Sequence, residues 1–410
     1  MPADALKCKE CSTTYPLEAR YVCERCFGPL EVAYSPPSGD TDELRRRIQA
    51  GPHTLWRYAD FLPLEGAPRS ALPTGWTPLV RADRLAERLG LRELWIKNET
   101  ANPTHSFKDR VVSVALARAL ELGFETVACA STGNLANAVS AHAAAAGLPS
   151  YVFIPSDLEQ EKILATGAYG TNIVAIRGNY DAVNRLCTEI AGERPSWAFV
   201  NVNVRPYYAE GSKTLAYETA EQLGWEIPDR VVAPIASGSL FTKVARGFQD
   251  FIDAGLIEGE VPVMCGAQAD GCSPVAQAFA AGTEVCRPVK PDTIAKSLAI
   301  GNPADGPYAV ELANRTGGAI ESVSDDEIRA GIRLLAETTG IFTETAGGVT
   351  AAVLAKLAAA GEIDPSERVV AYITGDGLKT LDAVRDSVQV TEIAPSVDEF
   401  DAAFELAGVS

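Results

Sequence analysis

Histidine is scarce in this chain, with three in 410 residues, and there is no run of eighteen or more apolar residues. The second absence leaves no segment able to cross a bilayer as a helix. The opening MPADALKCKE has neither the basic start nor the apolar core of a secretory signal, so a cytoplasmic protein is expected. Positive charge is short as well: 36 Lys and Arg stand against 54 Asp and Glu, a formal net charge of −18. Such a field repels phosphate backbones and anionic lipid, so neither nucleic acid nor membrane is expected as a partner. The phosphate-loop pattern G-x-x-x-x-G-K-S/T and the dinucleotide spacing G-x-G-x-x-G are both missing, which demotes nucleoside triphosphates and dinucleotides as ligands.

What is present reads as a globular chain of one to three domains, 47% hydrophobic and 22% charged. The nine cysteines are an odd number, four within the first 26 residues and five scattered, which argues against a disulfide framework and for a reduced compartment. Cys8, Cys11, Cys23 and Cys26 form two C-x2-C pairs separated by eleven residues. Each such turn aims two sulfurs at one point, and with no histidine nearby the expected ligand set is four thiolates around a closed, structural zinc. Turns at Tyr15-Pro16 and Gly28-Pro29 fit a zinc ribbon over residues 1–35. Its Lys7, Lys9, Arg20 and Arg25 are balanced by Glu10, Glu18, Glu24 and Glu31, so the segment has no basic face and is expected to serve packing or assembly.

Residues 36–75, rich in Pro and Gly with one charged helical stretch over 42–49, read as a connecting arm. From Trp76 onward short β-branched runs alternate with Ala-rich amphipathic stretches, the pattern of an α/β fold with two open, mostly parallel sheets and flanking helices. This region, 76–388, is expected in two lobes, the smaller over about 110–215. The tail, 389–410, carries five acids and no base. Ser396 and Glu399 make a capping box and Val397, Phe400 and Phe404 share a face, which predicts a docked last helix.

In open parallel sheets ligands sit beyond the carboxyl ends of strands, and four loops there carry chemistry. Asn98 to Arg110 places Lys108 in the first turn of a helix, where a cation opposes the helix dipole; that favours the uncharged, nucleophilic amine of a Schiff-base lysine. Ser131-Thr132-Gly133-Asn134 begins the next helix, with hydroxyls and free amides for a carboxylate and an Asn134 amide for a phenolic oxygen. The 25 intervening residues predict that the two loops belong to adjacent or near-adjacent strands of one right-handed βαβ unit. Ala236-Ser237-Gly238-Ser239-Leu240 has the small residues of a phosphate cradle. Thr374 offers a hydroxyl at a strand end. Together these describe a site for pyridoxal phosphate.

Ser106-Phe107-Lys108-Asp109-Arg110, Ser131 to Asn134, Thr293 to Pro303 and Thr374 to Lys379 resemble the threonine synthases, in the fold type II (tryptophan synthase β-like) group of pyridoxal-phosphate enzymes, including members with a four-cysteine knuckle. The resemblance implies that Lys108 carries the cofactor and moves protons at the substrate's Cα and Cβ, that Asn134 meets the cofactor's 3′ oxygen, and that Ala236 to Leu240 hold its phosphate. It further implies that Thr374 faces the ring nitrogen, and that the product is threonine, formed from phosphohomoserine and water by a homo-oligomer, expected to be a dimer. Ser131 and Thr132 are the candidates for the substrate carboxylate. Many members have an Arg just before a Glu-Gly pair to hold the substrate's phosphate; here the segment reads Tyr208-Ala209-Glu210-Gly211, and Arg205 is the candidate instead. Cysteate synthase and threonine dehydratase are the rival activities in the fold, and a non-catalytic zinc-ribbon binding protein the rival outside it.

Overall fold

The β-branched runs form three sheets in the computed structural model, which describes residues 3–35, 40–66, 72–131, 133–156, 160–177, 180–387 and 389–404. The largest sheet has the strand order Ile320–Val323, Val263–Ala269, Arg230–Pro234, Arg368–Ile373, Glu93–Asn98, Leu79–Arg81. It is parallel except for its last pair, in which Leu79–Arg81 runs antiparallel to Glu93–Asn98. The second sheet, Asn172–Ile176, Ser150–Pro155, Thr126–Ala130, Trp197–Phe199, is parallel throughout. Its strands are almost continuously apolar, as befits sheets covered by helices on both faces. The chain is therefore α/β with mixed and parallel sheets, as the sequence pattern predicts.

One expectation fails. Strand Glu93–Asn98 and strand Thr126–Ala130, which lead into the Lys108 and Asn134 loops, lie in different sheets and not in one βαβ unit. The reason is the intervening helix Lys108–Glu121, whose residues from Asp109 to Ala119 are all buried. A helix buried on every side cannot lie on the face of a single sheet with one side in water. It packs on the second sheet through Val127 and Cys129 with Leu6, Leu30 and Val32 of the amino-terminal segment over it, and Lys379 ties the loop before it to the loop beyond its end.

The amino-terminal segment forms a small antiparallel sheet, Thr14–Tyr15, Ala3–Cys8, Leu30–Tyr34. Its Leu6, Leu30 and Val32 share one apolar core with Val111, Val112, Leu116 and Tyr207. The arm is equally well packed: helix Thr41–Ala50 is capped by the Asp40 side chain, and Tyr58 and Phe61 are buried in the core of the large sheet.

The last helix forms over Val397–Phe404, with Ser396 Oγ accepting from the Glu399 N–H at 3.2 Å. It does not dock. None of its residues is buried, and Phe400 and Phe404 contact each other at 5.1 Å between ring centroids. Eight residues with three large apolar side chains offer too little area to offset ordering against the body.

Candidate active site and candidate metal centre

The Lys108 loop is built from its neighbours. Thr104 donates through both its backbone N–H and its hydroxyl to the buried Asp109 carboxylate, at 2.8 and 2.9 Å, and His142 Nε2 lies 3.0 Å from the same group. Asp109 thus closes the turn that precedes Lys108, and Lys108 becomes the first residue of its helix. Ser106 bridges Gly375, and the Phe107 N–H donates to the Thr374 carbonyl at 3.0 Å, which seats Thr374 against the lysine loop. Because Arg368–Ile373 pairs in parallel with Arg230–Pro234, the loop Ala236–Leu240 leaves the same edge of the sheet.

Asn134 joins this group from the other sheet. Its Oδ1 accepts from Lys379 Nζ at 2.7 Å, and Lys379 also donates to the Thr104 carbonyl at 2.6 Å. Asn134 Nδ2 lies 3.0 Å from both carboxylate oxygens of Glu344. Burial pushes the Glu344 carboxyl up, against the pull of Asn134, Lys379 and Lys108. Burial likewise pulls the Lys379 ammonium down, against the attraction of Glu344. Lys108 Nζ itself donates to the Tyr208 hydroxyl at 3.0 Å.

The donor set fits pyridoxal phosphate. Ser106 Oγ, on the loop before Lys108, and Thr345 Oγ1, at the helix start after Glu344, are buried with no hydrogen-bond partner among the described residues. Helix Ser239–Asp253 has a glycine at its cap, and beyond a long 3.5 Å contact from the Ser239 N–H to Ser237 Oγ nothing among the described residues caps its first turn, which leaves amides there to hold an anion. Gly238 sits at φ +96°, and a Cβ there would lie 2.6 Å from the Asp305 carbonyl oxygen, so only glycine fits the turn.

Lys108, Thr374 and Asn134 are thus linked through the loops that carry them, the 236–240 loop leaves the same edge of the large sheet, and Ser131 follows the strand that leads to Asn134; Thr132 lies outside the described residues. Arg205 is different. Its Nη2 donates to Asp305 Oδ2 at 2.9 Å, and Asp305 in turn donates its N–H to the Ser237 carbonyl at 2.8 Å, so among the described residues Arg205 is tied to the 236–240 loop and not to Lys108. Lys213, the other cation of that stretch, is buried and paired with Glu210 and Asp250. Sequence reasoning missed Tyr208 and Glu344. Tyr208 follows a proline and a second tyrosine, with nothing local to single it out, and Glu344 stands in no ligand motif.

The four amino-terminal cysteines converge, their Sγ atoms all within 4.8 Å of one another. Cys8 and Cys26 are 3.4 Å apart, Cys11 and Cys26 3.3 Å, Cys11 and Cys23 3.6 Å. Tetrahedral zinc with Zn–S of about 2.3 Å would set sulfurs ~3.8 Å apart, so slight expansion accommodates the ion. The Tyr15 hydroxyl, 3.1 Å from Cys23 Sγ, lowers that thiol to about 6.

Comparison with known proteins gives consistent answers. Residues 71–375 match the family described as pyridoxal-phosphate dependent enzyme. The threonine synthase of Methanocaldococcus jannaschii is 38% identical over 381 residues, 92% of this chain and 93% of that protein. The threonine synthase of Methanosarcina acetivorans is 37% identical over 384 residues, 93% of each. Among solved structures, the processed form of threonine deaminase isoform 2 from Solanum lycopersicum superposes with a TM-score of 0.62 at 22% identity, over 92% of this chain and 96% of the other. A fungal L-serine ammonia-lyase from Rhizomucor miehei does so with 0.64 at 21%, over 76% and 98%. At that identity the likeness is one of fold.

Proposed function

The chain belongs to the pyridoxal-phosphate dependent enzymes, and within them to the threonine synthases, and from that premise we propose how its residues divide the work. The reaction is the conversion of O-phospho-L-homoserine and water to L-threonine and phosphate. When bound, pyridoxal phosphate supplies an electron sink that acidifies the C–H bonds at the substrate's Cα and Cβ. Lys108 Nζ anchors the cofactor and takes and returns protons at those two carbons while phosphate departs from Cγ and water adds at Cβ. The amides of Ala236, Ser237, Gly238, Ser239 and Leu240 hold the cofactor's phosphate, Asn134 meets its 3′ oxygen and Thr374 its ring nitrogen. Ser131 and Thr132 hold the substrate carboxylate. Arg205 takes the substrate phosphate, exchanging Asp305 for it. A neutral hydroxyl at Thr374 leaves the ring nitrogen largely unprotonated.

The observation that supports this division most is the meeting of Lys108, Thr374 and Asn134 through the Ser106–Gly375 bridge and Lys379, although the three residues come from two sheets. We assign residues 1–35 to a zinc ribbon, with zinc on Cys8, Cys11, Cys23 and Cys26. Residues 36–75 are the arm, 76–388 a two-lobed catalytic region with the smaller lobe over about 110–215, and 389–410 an acidic helical tail. The enzyme works in the cytoplasm as a homodimer.

One assay separates the activities the fold supports. Threonine and phosphate are expected from phosphohomoserine, with no sulfonate product from phosphoserine plus sulfite and no ammonia from threonine. Borohydride is expected to fix the cofactor to Lys108. A colourless protein unchanged by added pyridoxal phosphate would remove the catalytic reading, and metal analysis finding no zinc in protein purified without chelator would remove the ribbon assignment.

A further inference from the structure

A tyrosine hydroxyl stands on the reacting nitrogen of this site, and several features of the fold converge to keep it there. Tyr208 belongs to the short helix Arg205–Glu210, which ends against the start of helix Lys108–Glu121. Gly211 permits that approach. A Cβ on it would lie 2.5 Å from the Arg110 carbonyl oxygen and 2.6 Å from the Val111 Cα, so the two backbones touch where any other residue would force them apart. Glu210, buried, clamps the far side: its oxygens lie 2.7 Å from the Lys213 ammonium, the Lys243 ammonium and the Tyr34 hydroxyl. Tyr34 comes from the ribbon's last strand, so the ribbon braces the same helix. The result is a Tyr208 hydroxyl 3.0 Å from Lys108 Nζ, with its ring 5.6 Å from the same nitrogen.

We propose that Tyr208 is a catalytic residue whose hydroxyl accepts a hydrogen bond from Lys108 Nζ each time that nitrogen carries a proton, and so makes Lys108 a stronger base. The chemistry follows from the donor inventory. An ammonium has three donors and no acceptor, and the hydroxyl oxygen can take one of them. A hydrogen bond to an ionised group is among the stronger ones, and it favours the charged form over the neutral amine. Lys108 must gain a proton from carbon to do its work, and Tyr208 stabilises the nitrogen that has gained it. In this step the substrate's C–H bond breaks and a third N–H bond forms on Lys108, the electron pair staying with the carbon, where the bound cofactor would stabilise it; the ammonium so formed donates another of its N–H groups to the Tyr208 oxygen.

This rests on the assignment of Lys108 as the site base, and the test keeps the two apart. Tyr208→Phe preserves the ring and removes only the hydroxyl. In protein stripped of pyridoxal phosphate, Lys108 of the variant is expected to react with an amine-acylating reagent ~10-fold faster than in the parent, since the neutral amine is now favoured. In the reloaded enzyme, kcat for threonine formation is expected to fall ~10- to 100-fold with KM for phosphohomoserine nearly unchanged. Reactivity and turnover thus move in opposite directions, and because a loosened site would also expose Lys108, the unfolding midpoint in urea must stay at the parent value beside them. A raised KM with kcat preserved would make Tyr208 a ligand of the substrate's phosphate and overturn the proposal, as would unaltered acylation. If the parent protein forms no threonine, the functional reading falls, while the acylation comparison still reports whether Tyr208 governs Lys108.

Discussion

Lys108 and Arg110 are two residues apart on one helix, and each sits in a cluster of charges, yet the clusters are of opposite kinds. Arg110 is wholly buried and spends its donors on Glu99, Glu218, Thr77 and Thr214 at 2.6 to 3.0 Å. Lys97, equally buried, gives its ammonium hydrogens to Glu218, the Thr77 carbonyl and Gln222. Two cations meet two carboxylates with nothing left over. The cluster around Lys108 is open: the lysine donates to Tyr208, Glu344 is held through Asn134, and the Ser106 and Thr345 hydroxyls have no partner among the described residues. A saturated buried network has no free valence for a ligand and contributes only to the fold, whereas groups left short of partners carry a desolvation cost that a bound cofactor can relieve.

The comparison breaks most sharply at Lys108. Lys108→Ala is expected to lower turnover by about 10⁴-fold while the unfolding midpoint in urea stays where it was, because the open cluster contributes chemistry and not stability. Borohydride should then fix no cofactor to the chain. Arg110→Ala is the mirror image. It leaves Glu99 and Glu218 charged, buried and unpaired, and the expected loss is about 3–5 kcal/mol of folding stability, read from urea denaturation.

A smaller effect sharpens the contrast through pH. Burial alone would raise the Glu218 carboxyl, but Arg110 and Lys97 override it and hold it at about 2, below its ordinary 4.5. A carboxylate depressed in the folded state contributes stability that is fully present above the unfolded value and lost as pH falls toward the folded one. Stability should therefore drop between pH about 4.5 and about 2, by up to about 3 kcal/mol from this residue, and Glu218→Gln should flatten that part of the curve. Glu344 has the opposite sign, being raised by burial, so protonating it costs the fold nothing and acid should not unfold the protein through it. Equal flattening by Glu344→Gln would show that the two clusters are alike after all.

Removing one ligand of the four-cysteine cluster gives the mildest test. The ribbon shares its core with Val111, Val112 and Tyr207, so losing the Cys8, Cys11, Cys23 and Cys26 cluster in Cys11→Ser should loosen residues 3–34 in hydrogen exchange and leave cofactor absorbance in place.

Local chemistry, readable along the chain, accounts for much of the molecule. The C-x2-C spacing suffices to bring four sulfurs together, because each pair is one turn and the eleven residues between them fold back on the first strand. Helix starts at Lys108, Asn134 and Ser239 follow from strand-to-loop-to-helix order, and the Ser396–Glu399 cap forms where the pattern places it. Capping, however, is a contact within one turn, while docking needs a complementary surface elsewhere, and the last helix has the first without the second. The tertiary structure alone decides that the lysine and asparagine loops come from different sheets, since that depends on Glu93–Asn98 pairing with Arg368–Ile373 while Thr126–Ala130 pairs with Ser150–Pro155 and Trp197–Phe199. It alone decides that Tyr208 meets Lys108, 100 residues away in sequence, and that Glu344 meets Asn134 across 210. Those meetings are set by close packing of whole elements, Gly211 against Arg110 and Gly375 against Glu344. No periodicity or motif in one segment encodes which distant backbone will press against it.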